Sequence, residues 1–165
     1  MGRSAKVPKP IHVACIGLAL FLSSNTLVNA TSANRSVRKL TDIVGNLKKK
    51  LEIPNRVEIR IVEHNRLAVS VEPADHHGDF LLLLDTRFLD RLDDEELTAA
   101  LAHELGHVWI YTHHPFLHTE ELANKIAMKV VARDGLRKLY AKLWDFEGQP
   151  GDLARVLGPE PRSLQ

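Results

Sequence analysis

The chain has 165 residues, of which 44% are apolar, 26% are charged and 5% are aromatic, with a formal net charge of +1. These values suit one globular domain, and they exclude a disordered chain, a collagen-like repeat and a multi-span membrane protein. Three basic residues and no acidic residue lie in positions 1–30, which leaves the remainder with a net charge of −2. Basic residues are not in excess, so we expect no nucleic-acid partner.

The first 30 residues have the three-part layout of a secretory signal peptide. Positions 1–9 are polar and positive, and positions 11–22 form an almost unbroken apolar run. Val28-Asn29-Ala30 then places small or apolar residues where signal peptidase cleaves. We expect cleavage after Ala30 and an exported protein, periplasmic or secreted, with no stable membrane span after cleavage. The alternative interpretation is an uncleaved anchor, although the apolar run is shorter than the ~20 residues of a transmembrane helix.

The single cysteine, Cys15, lies inside the apolar run. A lipid-modified cysteine follows such a run directly, so the position of Cys15 argues against a lipoprotein. A chain cleaved after Ala30 contains no cysteine and cannot form a disulfide framework. Its stability then has to come from core packing and from any metal ion that it binds.

Hydrophobic periodicity predicts a helix, three strands and then a helical half, which is an α+β order. The first helix is expected to stop before Pro54, and an acidic run at 93–96 is typical of a helix start. A connection of about ten residues around Pro115 and a loosely structured tail at 148–165 complete the chain. The predicted elements are helix 36–51, strands 57–61, 67–71 and 80–84, a loop at 73–78, a helix that includes 97–108, and helices 119–133 and 136–146.

The chemistry-bearing motif is H-E-L-G-H at His103 to His107. Histidines four residues apart on a helix share one face, so both imidazoles can bind one metal ion. Imidazole nitrogen is a preferred zinc ligand. Glu104 is rotated about 100° from His103, where it can take a proton from water without binding the metal. We therefore predict His103 and His107 as zinc ligands and Glu104 as the general base.

A catalytic zinc site needs a third protein ligand and one open position. Glu120, at the start of the next predicted helix, is the best candidate, and the neighbouring Glu121 is its competitor. Asn124 lies one turn beyond Glu120, where it can hydrogen-bond a ligand histidine. The alternative interpretation of the two glutamates is an acidic helix start that only favours the helix dipole.

The stretch from Asp94 to Gly135 resembles the gluzincin metallopeptidases, in particular the CAAX prenyl endopeptidases and the HtpX-like and BepA-like proteases. The matching strings are D-D-E-E-L at 93–97, H-E-L-G-H at 103–107 and E-E-L-A-N at 120–124. The resemblance implies a zincin-like domain over 31–147, in which a small mixed sheet packs on an active-site helix and a glutamate-bearing helix follows.

The resemblance also implies particular roles. Glu120 rather than Glu121 is the third ligand, because Ala123 and Asn124 lie at the family's offsets. The strand that holds an extended substrate by strand addition maps to Leu67–Val71 or to Phe80–Leu84.

The sequence departs from the family in two ways. Asn124 stands where the family has Asp, which keeps a hydrogen-bond acceptor but loses the charge that raises the basicity of a ligand histidine. The family's downstream His-Pro segment with its Arg is missing, and the C-terminal region is short. These departures imply lower zinc affinity or activity and a shallow substrate cleft.

Several residues near the motif are candidates to stabilise the oxyanion formed when water attacks a carbonyl. They are Tyr111, His113 and His114. Among the histidines without an assigned role, His113 and His114 are closest to the motif in sequence. The more common interpretation of such histidines, including His64, His76, His77 and His118, is a solvated loop position.

Together these features predict an exported zinc metalloendopeptidase with one Zn²⁺ per chain and a peptide or unfolded protein as substrate. The alternative is a catalytically weak or inactive zinc-stabilised binding or chaperone-like module, which the Asn124 departure and the small size motivate. A zinc hydrolase that cleaves an amide outside peptides is a weaker third hypothesis, since fold does not decide substrate.

Overall fold

The computed structural model describes residues 23–76 and 78–160, with side chains from Val37 onward. Most of the expected signal peptide, including Cys15, lies outside the described residues, so cleavage after Ala30 stays a prediction. The fold below is that of the unit Arg35–Gln165. In the part of the chain that the structure describes, no helix combines the length and the apolar character that a membrane crossing requires.

The described residues form six helices and three strands in an α+β order. Helix α1 precedes the three strands, and the other five helices follow them. The bounds are α1 (Ser23–Lys50), β1 (Val57–Val62), β2 (Val69–Pro73), β3 (Phe80–Asp85), α2 (Thr86–Leu89), α3 (Asp94–His113), α4 (Glu120–Ala127), α5 (Arg133–Glu147) and α6 (Leu153–Leu157).

The three strands form one mixed sheet in the order β1-β3-β2. Strand β3 pairs parallel with β1 and antiparallel with β2, so it lies in the centre and β2 lies at one edge. The register places Ile59 and Val71 on either side of Leu82, which is fully buried. Because side chains alternate along a strand, these residues share the face that packs on the core. The expected small mixed sheet is confirmed.

Strand β2 is shifted relative to the predicted strand 67–71. Ala68 has a φ of 60°, so regular extended backbone begins only at Val69. The strand continues to Pro73, which the sequence places in a loop. Proline is accepted there because β2 is an edge strand and Pro73 does not need to donate to a neighbour.

Helix α3 is the central helix of the fold and packs against β2, α4 and α5. Asp93 caps its first turn by accepting a hydrogen bond from the backbone of Glu96, and the Glu96 side chain accepts one from the backbone of Asp93. This reciprocal capping explains the acidic run at 93–96. The predicted buried positions are all buried in the structure, namely Leu97, Leu101, Leu105 and Val108.

The two helices that follow differ from the predicted ones. The predicted helix 119–133 ends at Ala127 as α4, and α5 already begins at Arg133. Gly135, which the sequence suggests as a helix stop, lies in the first turn of α5. A Cβ at Gly135 would lie 3.4 Å from Cγ of Glu95 and 3.6 Å from Cβ of Ala99, which are ordinary van der Waals distances, so Gly135 packs against α3. The connection between α3 and α4 is also shorter than expected, at 114–119.

The segment expected to be a loosely structured tail contains α6. Asp152 caps this short helix by accepting hydrogen bonds from the backbone of Ala154 and Arg155. Leu157 is buried in the core, and Arg133 donates to the carbonyls of Leu157 and Gly158. Glycine and proline indicate a loop locally, but these long-range contacts order the segment.

Asp85 joins the sheet to the helical half and is fully buried. Its Oδ1 accepts hydrogen bonds from the backbone of Arg87 at 2.8 Å and of Phe88 at 3.3 Å, and its Oδ2 accepts one from the backbone of Asn65 at 3.0 Å. Burial alone raises the pKa of this carboxyl, but the hydrogen bonds outweigh burial and lower it to about 2.

We predict that Asp85→Ala lowers the free energy of unfolding by about 2 kcal/mol at pH 7, because a helix cap and a buried backbone amide lose their acceptor. A carboxyl with a lowered folded pKa stabilises the fold above its unfolded pKa of about 3.9, and this stability is lost as pH falls towards 2. The difference between wild type and variant should therefore shrink by about 1 kcal/mol at pH 3. Urea denaturation at the two pH values measures it.

Asp42→Ala is the matched control, because Asp42 is exposed on α1. Its effect should stay within about 0.5 kcal/mol at both pH values. An equal effect of the two substitutions would contradict the role of Asp85.

Candidate metal centre

Two histidines and one glutamate meet where α3 faces the first turn of α4. His103 and His107 lie one turn apart on α3, and their Nε2 atoms are 3.1 Å apart. Glu120, the first residue of α4, has Oε2 at 3.2 Å from Nε2 of His103 and Oε1 at 3.5 Å from Nε2 of His107. The structure therefore brings together the three residues that the sequence predicts as metal ligands.

The spacing of these atoms fits a metal ion between them. One nitrogen or oxygen donor from each residue lies within 4.8 Å of the others. Zinc bound tetrahedrally at about 2.0–2.1 Å holds its donors about 3.3 Å apart. The observed separations of 3.1–3.5 Å match this value, and two imidazoles with one carboxylate are a common catalytic zinc set.

The protonation of His103 also favours a cation at this point. Oδ1 of Asn124 lies 2.8 Å from Nδ1 of His103, and an amide oxygen can only accept. The hydrogen of neutral His103 is therefore on Nδ1, and its Nε2 presents a lone pair to the carboxylate of Glu120. The lone pairs of this nitrogen and of the carboxylate oxygen repel each other unless a proton or a metal ion lies between the two atoms.

A residue without an assigned role in the sequence, His118, supports the other ligand. Its Nε2 lies 2.9 Å from Nδ1 of His107, and the two rings stack with their centroids 4.8 Å apart. Burial and the nearby His107 lower the pKa of His118, so this ring is neutral and can accept from Nδ1–H of His107. Nε2 of His107 then presents a second lone pair to the cluster. In the sequence, the only indication of this contact is the presence of histidines in the loop 114–119.

The electrostatics of the cluster also favour a positive charge between His103 and Glu120. Burial lowers the pKa of His103, but its hydrogen bond to Glu120 and the charges of Glu104 and Glu120 raise it by more. The contacts with His103 and His107 lower the pKa of the Glu120 carboxyl against the effect of partial burial. The site therefore holds a negative carboxylate and attracts positive charge.

Close contact between α3 and α4 sets the distance between the histidines and Glu120. A Cβ at Gly106 would lie 2.4 Å from the carbonyl oxygen of Ala123 and 3.0 Å from its Cα. Gly106 and Ala123 are both buried, so there is no room to relieve such a clash. The glycine between the two ligand histidines thus allows α4 to approach α3 at backbone distance.

Asn124 is fully buried and links four helices around the cluster. Its Oδ1 accepts from His103 on α3, while its Nδ2 donates to the hydroxyl of Tyr140 on α5 and to the carbonyl of Val156 on α6, both at 2.8 Å. A carbonyl oxygen can only accept, so the group that faces Val156 has to be a donor. This explains Asn where the resembled family has Asp: a carboxylate cannot make the bond to Val156.

Glu104 faces a cavity of about 370 Å³ beside the cluster. It is 7% exposed, and burial raises the pKa of its carboxyl against the opposing charges of His103 and His107. Tyr140 lines the same cavity, and burial raises the pKa of its hydroxyl, which therefore stays protonated. A buried carboxylate with a raised pKa and a phenol that can donate suit proton transfer and stabilisation of negative charge.

Strand β2 forms one rim of this cavity. Backbone hydrogen bonds join Asp85 to Ala68 and Ala74 to Asp79, which lie at the two ends of the β2–β3 pairing. Alternation along an antiparallel pair then directs the backbone amides of Val69 and Val71 away from β3. Both residues line the cavity. The N–H of Val71 hydrogen-bonds the carboxyl of Glu104, and the remaining outward-facing groups of the strand are available to an extended chain. Strand β3, the other strand to which the resemblance points, is paired on both sides.

The candidates for oxyanion stabilisation lie in different places. The rings of His113 and His114 pack on Trp109, with centroids 4.1 Å and 5.7 Å away, and neither residue lines the cavity. Tyr111 does line the cavity and is 41% exposed. No signal in the sequence pointed to Tyr140, which lies about 20 residues beyond Glu120. It reaches the site only because α5 packs against α3.

The fold is similar to that in the crystal structure of the metallopeptidase zymogen of Pyrococcus abyssi abylysin. The similarity covers 68% of this chain and 99% of that chain, with a TM-score of 0.50 and 18% sequence identity. The chain thus has a zincin-like α+β fold, as the sequence predicts. No family model matches the sequence, and no curated protein matches it.

We predict that Gly106→Ala weakens zinc binding by about tenfold or more, because the added methyl group pushes α4 and Glu120 away from the histidines. Overpacking at this buried contact should also lower the free energy of unfolding of the metal-free protein by about 1–3 kcal/mol. Competition with a chromophoric chelator measures the affinity, and urea denaturation measures the stability.

The matched control is Gly45→Ala on α1, where an added Cβ meets nothing within 4 Å. This substitution should leave zinc affinity unchanged and stabilise the helix by about 0.5–1 kcal/mol. Wild-type zinc affinity in Gly106→Ala would show that the α3–α4 contact does not position Glu120.

We predict that Asn124→Asp, which introduces the residue of the resembled family, lowers the free energy of unfolding by about 2 kcal/mol, because a carboxylate oxygen then faces the carbonyl of Val156. Urea denaturation with and without zinc tests this. Asn46→Asp on the exposed face of α1 is the control and should change stability by less than about 0.5 kcal/mol. A more stable Asn124→Asp variant would refute the donor role of Asn124.

Proposed function

We propose that this chain is an exported zinc-dependent metalloendopeptidase that hydrolyses peptide bonds in an extended segment of its substrate. The observation that carries the proposal is the convergence of His103, His107 and Glu120 beside the buried carboxylate of Glu104, at a cavity with a free strand edge. Its support from fold is limited to architecture, since the similar structure shares 18% identity.

His103, His107 and Glu120 would hold one zinc ion per chain. Zinc in such a site supplies a Lewis acid that polarises a carbonyl and makes water easier to deprotonate. Asn124 and His118 keep the two imidazoles oriented through their Nδ1 atoms, 2.8 Å and 2.9 Å away. These contacts leave both Nε2 atoms directed at the same point.

Glu104 would act as the general base. Its buried carboxylate lies in the cavity and takes a proton from the attacking water, then donates that proton to the departing amine. The raised pKa of Glu104 is closer to neutral pH than that of an ordinary glutamate, so this carboxyl can both accept and release a proton.

Tyr140 would stabilise the negative charge on the substrate carbonyl oxygen. Its hydroxyl oxygen accepts from Asn124 at 2.8 Å, which orients the phenol and leaves its own hydrogen free to donate into the cavity. Tyr111 at the outer rim is the second group that can serve here, because it also lines the cavity.

The peptide or unfolded-protein substrate would bind along β2. The N–H of Val69 and the outward-facing carbonyls of Val69 and Val71 can pair with an extended segment, as in other peptide recognition by strand addition. The N–H of Val71 hydrogen-bonds Glu104 and so holds the general base at this edge. Such pairing places a substrate carbonyl next to Glu104, since both valines line the same cavity as the glutamate.

We predict that Glu104→Gln keeps one zinc per chain and lowers kcat/KM for an unfolded substrate such as casein by about 100-fold or more, because the proton acceptor is lost. Glu120→Gln should lose zinc and cleavage together. Elemental analysis and a casein cleavage assay on the same preparations measure both.

Glu121→Gln is the matched control, because Glu121 is the exposed neighbour of Glu120 on α4 and does not line the cavity. It should retain zinc and cleavage. Cleavage that persists in Glu104→Gln would refute the peptidase mechanism. Zinc in the wild type without cleavage of any unfolded protein would instead favour the zinc-stabilised binding module.

A further inference from the structure

The cavity extends beyond the metal cluster into an apolar slot between α2, α3 and α5. Phe88, Ala100, Leu139 and Leu143 line this slot, and Glu147 lines its far end. Leu139, Leu143 and Glu147 are spaced four residues apart on α5, so they lie on one face at successive turns. Glu147 is seven residues beyond Tyr140, which corresponds to about 10 Å along the helix axis. The slot thus leads from the metal cluster past apolar walls to a carboxylate.

The charges on the cavity wall are of one sign. Glu104, Glu120 and Glu147 line it, and no lysine or arginine does. The histidines pair with Glu120, and Glu104 is buried, whereas Glu147 is exposed. In the part of the chain that the structure describes, Glu147 forms no ion pair.

The neighbouring arginines form ion pairs with other carboxylates. Arg87 forms an ion pair with Asp85 at 3.3 Å, and Arg91 forms one with Asp145 at 3.2 Å. Both guanidinium groups also lie over the ring of Phe146, 5.7 Å and 5.1 Å from its centroid. The carboxylate of Glu147 is therefore accessible to a cation that enters the cavity.

We propose that this slot is a specificity pocket for a lysine or arginine side chain of the substrate. The aliphatic part of such a side chain packs against Leu139 and Leu143, and its cationic end reaches Glu147 at the solvent-exposed end. Long basic side chains bury their methylene groups in this way while the charge stays hydrated. This inference rests on the proposed peptidase function and names the class of residue that the enzyme prefers beside the cleaved bond.

The same geometry disfavours other side chains. An acidic side chain would meet the carboxylates of Glu104 and Glu147 and be repelled. An apolar side chain of equal length gains the contacts with the walls but no interaction with Glu147. Lysine compared with norleucine, which has the same four side-chain carbons and no ammonium group, therefore isolates the contribution of Glu147.

The test uses the zinc-loaded full chain and peptides in which one position at a time on a neutral background is lysine, norleucine or glutamate. At one position next to the cleaved bond, we expect kcat/KM for lysine to exceed that for norleucine about fivefold, the upper range for an exposed ion pair. Glutamate should be the poorest of the three there. The lysine preference should fall as salt is raised.

Variants at Glu147 identify the group responsible. Glu147→Gln should reduce the ratio of lysine to norleucine to about one, and Glu147→Lys should make glutamate preferred over lysine. Glu121→Gln is the control, because Glu121 is exposed, does not line the cavity and forms no ion pair among the described residues, and it should keep the wild-type ratio. An unchanged ratio in Glu147→Gln would overturn the proposal.

A binding measurement separates this proposal from the proposed function. Fluorescence anisotropy of the same peptides is measured on zinc-loaded Glu104→Gln and on Glu104→Gln/Glu147→Gln. Tighter binding of the lysine peptide that is lost in the double variant supports the pocket, whether or not the wild type cleaves the peptides. Absence of cleavage by the wild type would contradict only the peptidase function. Cleavage with no preference for lysine or arginine at any position would leave the function standing and overturn the pocket.

Discussion

The site depends on one close contact between two helices. Gly106 lets the backbone of α4 approach α3 so closely that a single added carbon would lie 2.4 Å from the carbonyl of Ala123. His103 and His107, the candidate metal ligands, flank this glycine on α3, and Glu120 begins α4 three residues before Ala123. The distance between nitrogen and carboxylate donors is therefore a consequence of backbone packing, which is more rigid than the position of any single side chain.

Asn124 transmits this packing to the rest of the helical half. Its amide is the point at which α3, α4, α5 and α6 exchange hydrogen bonds, and it has no contact with water. A neutral amide satisfies both the donor His103 and the acceptor Val156, which a carboxylate cannot do. The departure from the resembled family is thus balanced by α6, which supplies the carbonyl that an amide requires.

The arrangement of charge explains why these residues are held together. The lone pair of His103 and the carboxylate of Glu120 repel each other until a cation joins them, while Glu104 remains a buried acid a short distance away. Such buried, partly unfavourable electrostatics are expected where chemistry occurs rather than where stability is needed. Asp85, at the junction of the sheet and α2, shows the structural counterpart: its carboxylate accepts hydrogen bonds from three backbone amides and from Arg87.

The sequence by itself determined the elements whose information is local. Alternation predicted the first two strands, and a continuous apolar run predicted the third. Periodicity and the acidic cap predicted α3, and i to i+4 spacing placed His103 and His107 on one face. Tertiary structure decided what depends on distant contacts. The break after Ala127, the ordered α6, the support from His118 and the arrival of Tyr140 and Glu147 at the cavity all arise from packing between segments far apart in the chain, for which local pattern carries no signal.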